Sequence, residues 1–177
     1  MAWVIAKWLG AAALLTGAAG IGFEFARKYR KRPLDLRELM AALRMLRNDI
    51  SYGRLPLPDS LAEIAAHFPQ HSGTRHVFAM TAHRLNAAGT EAGEAFVDAL
   101  RQNSECWSLH EEDLNALRQF SHTMGATSAE LQAAAITALL GELSDREREA
   151  VAERDRFEKV YRTAGVLIGM LLVVMLW

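Results

Sequence analysis

The sequence predicts an all-α protein, a cytoplasmic bundle of six helices anchored in a membrane by one further helix at each end. Proline is rare, at four residues in 177, and apolar positions in the middle of the chain repeat with the spacing of one helical face. The longest uncharged stretches lie at the two ends, whereas most charged residues, 23% of the chain, lie between them. A chain of this length can bury a core of its own.

The N-terminal segment, residues 2–25, is the first predicted transmembrane helix. Residues 8–23 carry no charge, and with AWVIA before Lys7 they give about 22 apolar residues, enough to cross a hydrocarbon core of about 30 Å. Trp3 and Trp8 suit the membrane interface. A cleaved signal peptide is the alternative, but it would carry its positive charge before the apolar run, and here the strong charge follows it.

A basic linker, residues 26–33, comes directly after this segment. It contains five bases and no acid, and the positive-inside rule places such a flank in the cytoplasm. We therefore predict that its basic side chains lie at the membrane interface: Arg27, Lys28, Arg30, Lys31 and Arg32.

The C-terminal segment, residues 161–177, is the second predicted transmembrane helix. Its last fourteen residues carry no charge and rise about 21 Å as a helix, which is short for a crossing. Arg162 can extend the span by reaching back to the cytoplasmic interface, with Trp177 at the far side. A re-entrant helix that does not fully cross is the alternative.

Between these segments, residues 34–160 are predicted to form the six-helix cytoplasmic domain. Leu36, Leu39, Leu43 and Leu46 share one face of the first helix. Later helices are expected to begin with caps and to end at Gly or Pro. The predicted helix ends are Gly53, Pro69 and Gly125, and the predicted helix starts are Thr90, a Ser108–Glu111 capping box and a Thr127–Glu130 capping box. The third helix is expected over residues 74–87. No strong breaker follows residue 128, so the sixth helix is expected to run on toward the C-terminus.

The stretch ISYGRLPLPDSL, residues 50–61, is predicted to be a corner between two packed helices. Tyr52 and Gly53 end the first helix, since glycine readily adopts the left-handed conformation of a helix end. Pro56 starts the next helix, and its cap is expected at Asp59 or Ser60.

Composition and motifs exclude several function classes. The net charge is −1, so no overall electrostatic attraction to nucleic acid is expected. A single cysteine excludes an internal disulfide. The sequence has no P-loop, dinucleotide-binding, nucleophile-elbow or zinc-protease motif. His67 and His71 are separated by Pro69, which prevents a shared helical face. We predict no catalytic residue, no cofactor and no metal site.

Several stretches resemble one known family. GFEFARKYRKRP at residues 22–33, the helix and corner over 36–65, FSHTMG at 120–125 with Gln132, and residues 161–165 with their apolar tail occur in this order over nearly the whole chain. Together they resemble the stage III sporulation protein AB family of endospore-forming bacteria. The soluble domain of that family is similar to the cytoplasmic domain of the type II secretion F protein.

The resemblance implies a membrane platform in the channel complex that joins mother cell and forespore, located in the outer forespore membrane. It implies a cytoplasmic partner, the stage III sporulation protein AA-type ATPase, as well as other membrane proteins of the complex and the bilayer, and no nucleic acid. From the residues flanking the corner we predict a docking edge for that ATPase: Arg44, Arg47, Asp49 and Arg54. An adaptor for a regulator and a small membrane enzyme are the alternative functions.

Overall fold

The computed structural model describes residues 30–53, 55–88, 90–125 and 128–176, without the side chains of 88, 158–159 and 161–176. Within these ranges the chain forms six α-helices and no strand, which confirms the all-α bundle. α1 covers residues 30–52. The others are α2 Leu57–Ala66, α3 Gly73–Ala88, α4 Ala92–Gln102, α5 Glu111–Ser121 and α6 Ala129–Leu176, with a short 3-10 helix at Ser104–Cys106.

The chain divides into two units. One is Arg32–Ala150, and the other consists of Met1–Lys31 and Val151–Trp177. The first unit begins inside the expected linker and ends ten residues before residue 160, the expected boundary. In the described part of the chain, no helix combines the length and the apolar character that a membrane crossing needs. The expected N-terminal span, residues 2–25, lies outside the described residues, and so do the side chains of 161–177.

α1 supplies much of the core of the Arg32–Ala150 unit. Leu36, Leu39, Leu43 and Leu46 are buried as their spacing predicted. Three phenylalanines extend the core through the neighbouring helices. The ring of Phe96 on α4 meets Phe78 on α3 at 6.3 Å and Phe120 on α5 at 6.2 Å, both edge to face. Each such pair adds about 0.5–1.5 kcal/mol beyond simple burial.

Two predicted helix starts differ from the structure, and a third lies partly outside the described residues. Thr90 does not cap α4, whose N-cap is Glu91. α5 begins at Glu111 after His110, so the Ser108–Glu111 capping box is wrong. Ser108 instead donates its backbone N–H to Asp35 Oδ2 at 2.7 Å, a long-range contact that sequence spacing cannot reveal. α6 begins at Ala129, and Thr127 lies outside the described residues.

The start of α3 is packed against Trp107 without space for a side chain. A Cβ atom added to Gly73 would lie 1.0 Å from Trp107 Cδ1. The indole ring therefore occupies the volume that any other residue would need. Gly141 on α6 is the opposite case, since an added Cβ would meet nothing within 4 Å.

We expect Gly73→Ala and Gly141→Ala to change stability in opposite directions. Gly73→Ala forces Trp107 or α3 to move and should destabilise the fold by about 1–3 kcal/mol or more, as overpacking does. Gly141→Ala should stabilise it by about 0.4–1 kcal/mol, because alanine restricts the unfolded chain. Thermal unfolding followed by circular dichroism measures both changes. A Gly73→Ala protein as stable as wild type would contradict the close Trp107 contact.

Candidate functional site

The corner between α1 and α2 has the expected conformation. Gly53 has φ +58° and donates its N–H to the carbonyl of Ile50 at 3.4 Å. Pro56 is the N-cap of α2, with Pro58 in the first turn and no side-chain cap. The expected caps at Asp59 and Ser60 are therefore wrong, because α2 begins at Leu57 and both residues lie inside it. Tyr52 is the last residue of α1 and lies on the surface.

Ser60 joins the two helices of the corner. Its hydroxyl donates to Asp49 Oδ2 at 2.6 Å. Ser60 is buried and Asp49 is half-buried. One oxygen of Asp49, a predicted docking residue, thus holds α2 against the end of α1.

A groove opens beside this corner, and we call it the corner groove. Its volume is about 240 Å³. A second space of about 10 Å³ adjoins it, with walls that include Phe120, Met124 and Ile136. The corner groove is lined by Asp49, Ile50, Gly53, Leu55, Leu57, Ser60, Gly125 and Gln132. Residues 50–57 and 120–132, two stretches that carry the family resemblance, thus meet here.

Exposed apolar side chains concentrate around the corner groove. The structure describes five large hydrophobic residues as exposed, and three of them are here. Leu55, 41% exposed, lines the groove, while Tyr52 at 73% and Leu131 at 63% directly neighbour lining residues in the chain. Exposed apolar residues gathered at one place in the fold are typical of contact sites for other molecules.

The predicted docking residues have different surroundings. Arg44 is exposed and Arg47 is half-buried, both on α1. Asp49 lines the corner groove. Arg54 lies outside the described residues. No group of three His, Cys, Asp or Glu side chains suited to a metal ion occurs among the described residues.

Arg32 corrects one membrane-interface prediction. Its side chain is buried, and it donates from Nε to Asp113 Oδ2 at 3.0 Å and from a terminal nitrogen to Oδ1 at 3.1 Å. A guanidinium held in this way is not available to lipid headgroups. Arg30 is exposed and Lys31 is half-buried at the start of α1. Trp3, Trp8, Arg27, Lys28 and Trp177 lie outside the described residues, and so does the side chain of Arg162.

Asp113 is the centre of a buried ionic cluster. The carboxylate also accepts the backbone N–H of His110 at 2.8 Å, so it caps α5. Arg146 on α6 approaches Oδ1 at 3.6 Å and donates to Glu142 at 2.7 Å. The capping box predicted at this helix start was Ser108–Glu111 and did not include Asp113. Sequence reasoning also missed the pairing of Asp113 with Arg32, 81 positions away.

The acids around Arg146 raise the pKa of its guanidinium above the ordinary value. The hydrogen bond that Arg146 donates to Glu142 is the main cause, and burial acts in the opposite direction. A base with a raised pKa stabilises the fold below its ordinary pKa and loses this contribution only as the pH rises further. Arg146 therefore remains charged in its contact with Asp113 throughout the physiological range.

We expect Arg32→Met to destabilise the fold by about 3 kcal/mol. Breaking one side of a buried ion pair costs about 3–5 kcal/mol, and the nearby Arg146 favours the lower end. Adding Asp113→Asn should recover part of the loss, because the amide oxygen still accepts from His110. Urea unfolding measures both.

Arg37→Met is the matched control for this experiment. Arg37 pairs with Glu147 at 2.6 Å, but its side chain is 54% exposed. An exposed pair contributes about 0–1 kcal/mol. If Arg32→Met costs no more than Arg37→Met, the buried pair is not a main support of the fold.

Comparison with known proteins places this bundle in a family. The sequence profile described as Stage III sporulation protein AB matches residues 7–177. The chain is 31% identical over 170 residues to Stage III sporulation protein AB of Bacillus subtilis (strain 168), covering 96% of this chain and 98% of that protein. A solved structure of Stage III sporulation protein AB matches with a TM-score of 0.67 and 27% identity, over 71% of this chain and 98% of the other. The chain therefore belongs to the stage III sporulation protein AB family, and a role in sporulation follows from that membership.

Proposed function

We propose that the protein is a membrane-anchored, non-enzymatic platform in a sporulation channel complex, and that its bundle docks a cytoplasmic secretion-type ATPase. The observation that supports docking most directly is the corner groove with its exposed apolar rim. The class of partner comes from the family resemblance and is an analogy.

The membrane part of the proposal rests on the sequence. Two apolar segments, residues 2–25 and 161–177, would anchor the chain, and the basic run after the first would hold the bundle in the mother-cell cytoplasm. The outer forespore membrane is the location that the resemblance implies.

Docking suits the corner groove better than catalysis does. Asp49 is its one charged lining residue among those described, and the remaining walls are apolar side chains, two glycines, Ser60 and Gln132. General acid–base chemistry needs a titrating group within reach of a second polar group that shares the reaction. Asp49 instead bonds to Ser60 in a contact that holds two helices together.

The basic side of α1 supplies the proposed electrostatic part of docking. Arg44 is exposed, and the structure gives its side chain no ionic partner among the described residues. An unpaired arginine beside an apolar groove favours an acidic patch on the partner and accelerates association. Arg47, one turn further along α1, lies nearer to the groove.

The proposal predicts that the purified stage III sporulation protein AA-type ATPase binds the full chain in detergent micelles. Isothermal titration calorimetry measures this directly. Arg44→Glu should weaken binding about tenfold and reduce its dependence on salt, because a favourable long-range charge becomes unfavourable.

Arg101→Glu is the control, since Arg101 is an exposed arginine on α4. It should bind as wild type does. No binding by the wild-type chain, together with normal sporulation when the gene is deleted, would reject the platform function. Sporulation loss without ATPase binding would favour the adaptor function instead.

A further inference from the structure

We infer that the corner groove receives an aliphatic side chain from a helix of the partner protein, with a lysine or arginine of that helix beside Asp49. This inference rests on the proposed docking function and specifies the chemistry of the partner's contact segment. It follows from the size of the groove, its apolar floor, its exposed rim and the position of its acids.

The size of the groove favours a side chain over a free small molecule. Small-molecule sites usually measure about 300–1,000 Å³, whereas this groove measures about 240 Å³. That volume suits one or two protein side chains and leaves most of a larger ligand in solvent. The occupant is therefore part of a macromolecule whose remaining contact surface lies on the rim.

The floor of the groove is apolar. Ile50 and Leu57 line both the groove and the adjoining space of about 10 Å³. That space is at the limit for one water molecule, which would also need two to four polar partners. Its walls are mostly apolar, so this part of the groove suits apolar groups better than water. A branched aliphatic side chain fits such a floor without leaving a polar group unpaired.

The exposed apolar residues near the groove suit a helix laid across it. Tyr52, Leu55 and Leu131 belong to the end of α1, the corner and the start of α6, and each either lines the groove or precedes a lining residue in the chain. A helix that binds in a groove inserts one or two apolar residues and covers the surface around it with the residues one turn away. This mode would bury Leu55 against the partner.

The charges beside the groove favour one orientation of the partner helix. Asp49 and Arg47 are two positions apart on α1, which is about 200° around a helix, so they point to opposite sides. Asp59, in the first turn of α2, is a second acid of the corner and is exposed. Asp49 Oδ2 accepts from Ser60, and no contact is described for Oδ1. That oxygen suits a basic side chain of the partner.

Titration of the ATPase into variants of the full chain tests both parts of this inference. Leu55→Ser removes an apolar wall and should weaken binding about tenfold or more, because the partner's side chain would lose the apolar contact that holds it. Asp49→Asn keeps an oxygen for Ser60 but removes the charge. It should weaken binding a few-fold at low salt and make little difference at high salt.

Leu34→Ser is the matched control. Leu34, on α1, is an exposed leucine like Leu55, at 55%, but it lies roughly 24 Å along the helix from Ile50. It should leave binding unchanged. Equal effects of Leu34→Ser and Leu55→Ser, or no effect of either, would overturn the groove as the contact site.

Photo-crosslinking identifies the occupant in sporulating cells. A photoreactive phenylalanine analogue at position 55 should attach to a partner helix at or next to an aliphatic residue with Lys or Arg within one turn. The same analogue at position 34 should not reach that helix. Attachment to a second copy of this chain, to lipid, to a segment without this pattern, or to nothing would overturn the inference.

The two proposals can fail separately. If the ATPase binds wild type but binds the Leu55 and Asp49 variants equally well, the docking function stands and the groove inference fails. If the ATPase does not bind, yet position 55 crosslinks to a different protein through the stated pattern, the groove inference stands and the ATPase is the wrong partner.

Discussion

The buried pair between Arg32 and Asp113 is the contact on which the arrangement of the bundle depends most. It joins the first residue of the Arg32–Ala150 unit to the first turn of α5. The same carboxylate caps α5 and approaches Arg146 of α6. One side chain therefore fixes the start of α1, the start of α5 and the middle of α6. A buried carboxylate is stable only when its oxygens are satisfied, so these three elements cannot shift independently.

Polar contacts of the same kind continue along α1. Asp35 accepts the backbone N–H of Ser108, Glu38 accepts the hydroxyl of Ser72 at 2.5 Å, and Asp49 accepts that of Ser60. Each acid of α1 thus holds a connection or a helix start that follows it in the chain. The leucines between them bury the apolar face, while the acids decide where the other elements are attached. α1 is the common support of the bundle, and the corner groove lies at its far end.

The sequence pattern predicted the helices better than it predicted the side-chain contacts between them. The helical faces, the turn at Gly53 and the restart at Pro56 follow from local chemistry, which is readable over a few residues. The pairing of Arg32 with Asp113 and of Asp35 with Ser108 crosses 81 and 73 positions, and no local signal distinguishes Arg32 from the four bases before it. One wall of the corner groove, between α1 and α2, was predicted from the sequence as a corner. Its other wall, at Gly125 and Gln132, forms only through the fold and was not predicted.

Helix α1 links the ionic cluster around Asp113, at its start, to the corner groove, at its end. Ile50 lies roughly 27 Å along α1 from Arg32, and the helix between them is continuous, with its apolar face buried from Leu36 to Leu46. A helix packed in this way transmits displacement and rotation along its length and resists local bending. A switch between two conformations that linked the cluster to the groove would need a second arrangement of these contacts. The bidentate Arg32–Asp113 pair opposes such a second arrangement. A partner seated in the groove would therefore meet an α1 whose start is held in a fixed orientation, which suits the proposed platform function.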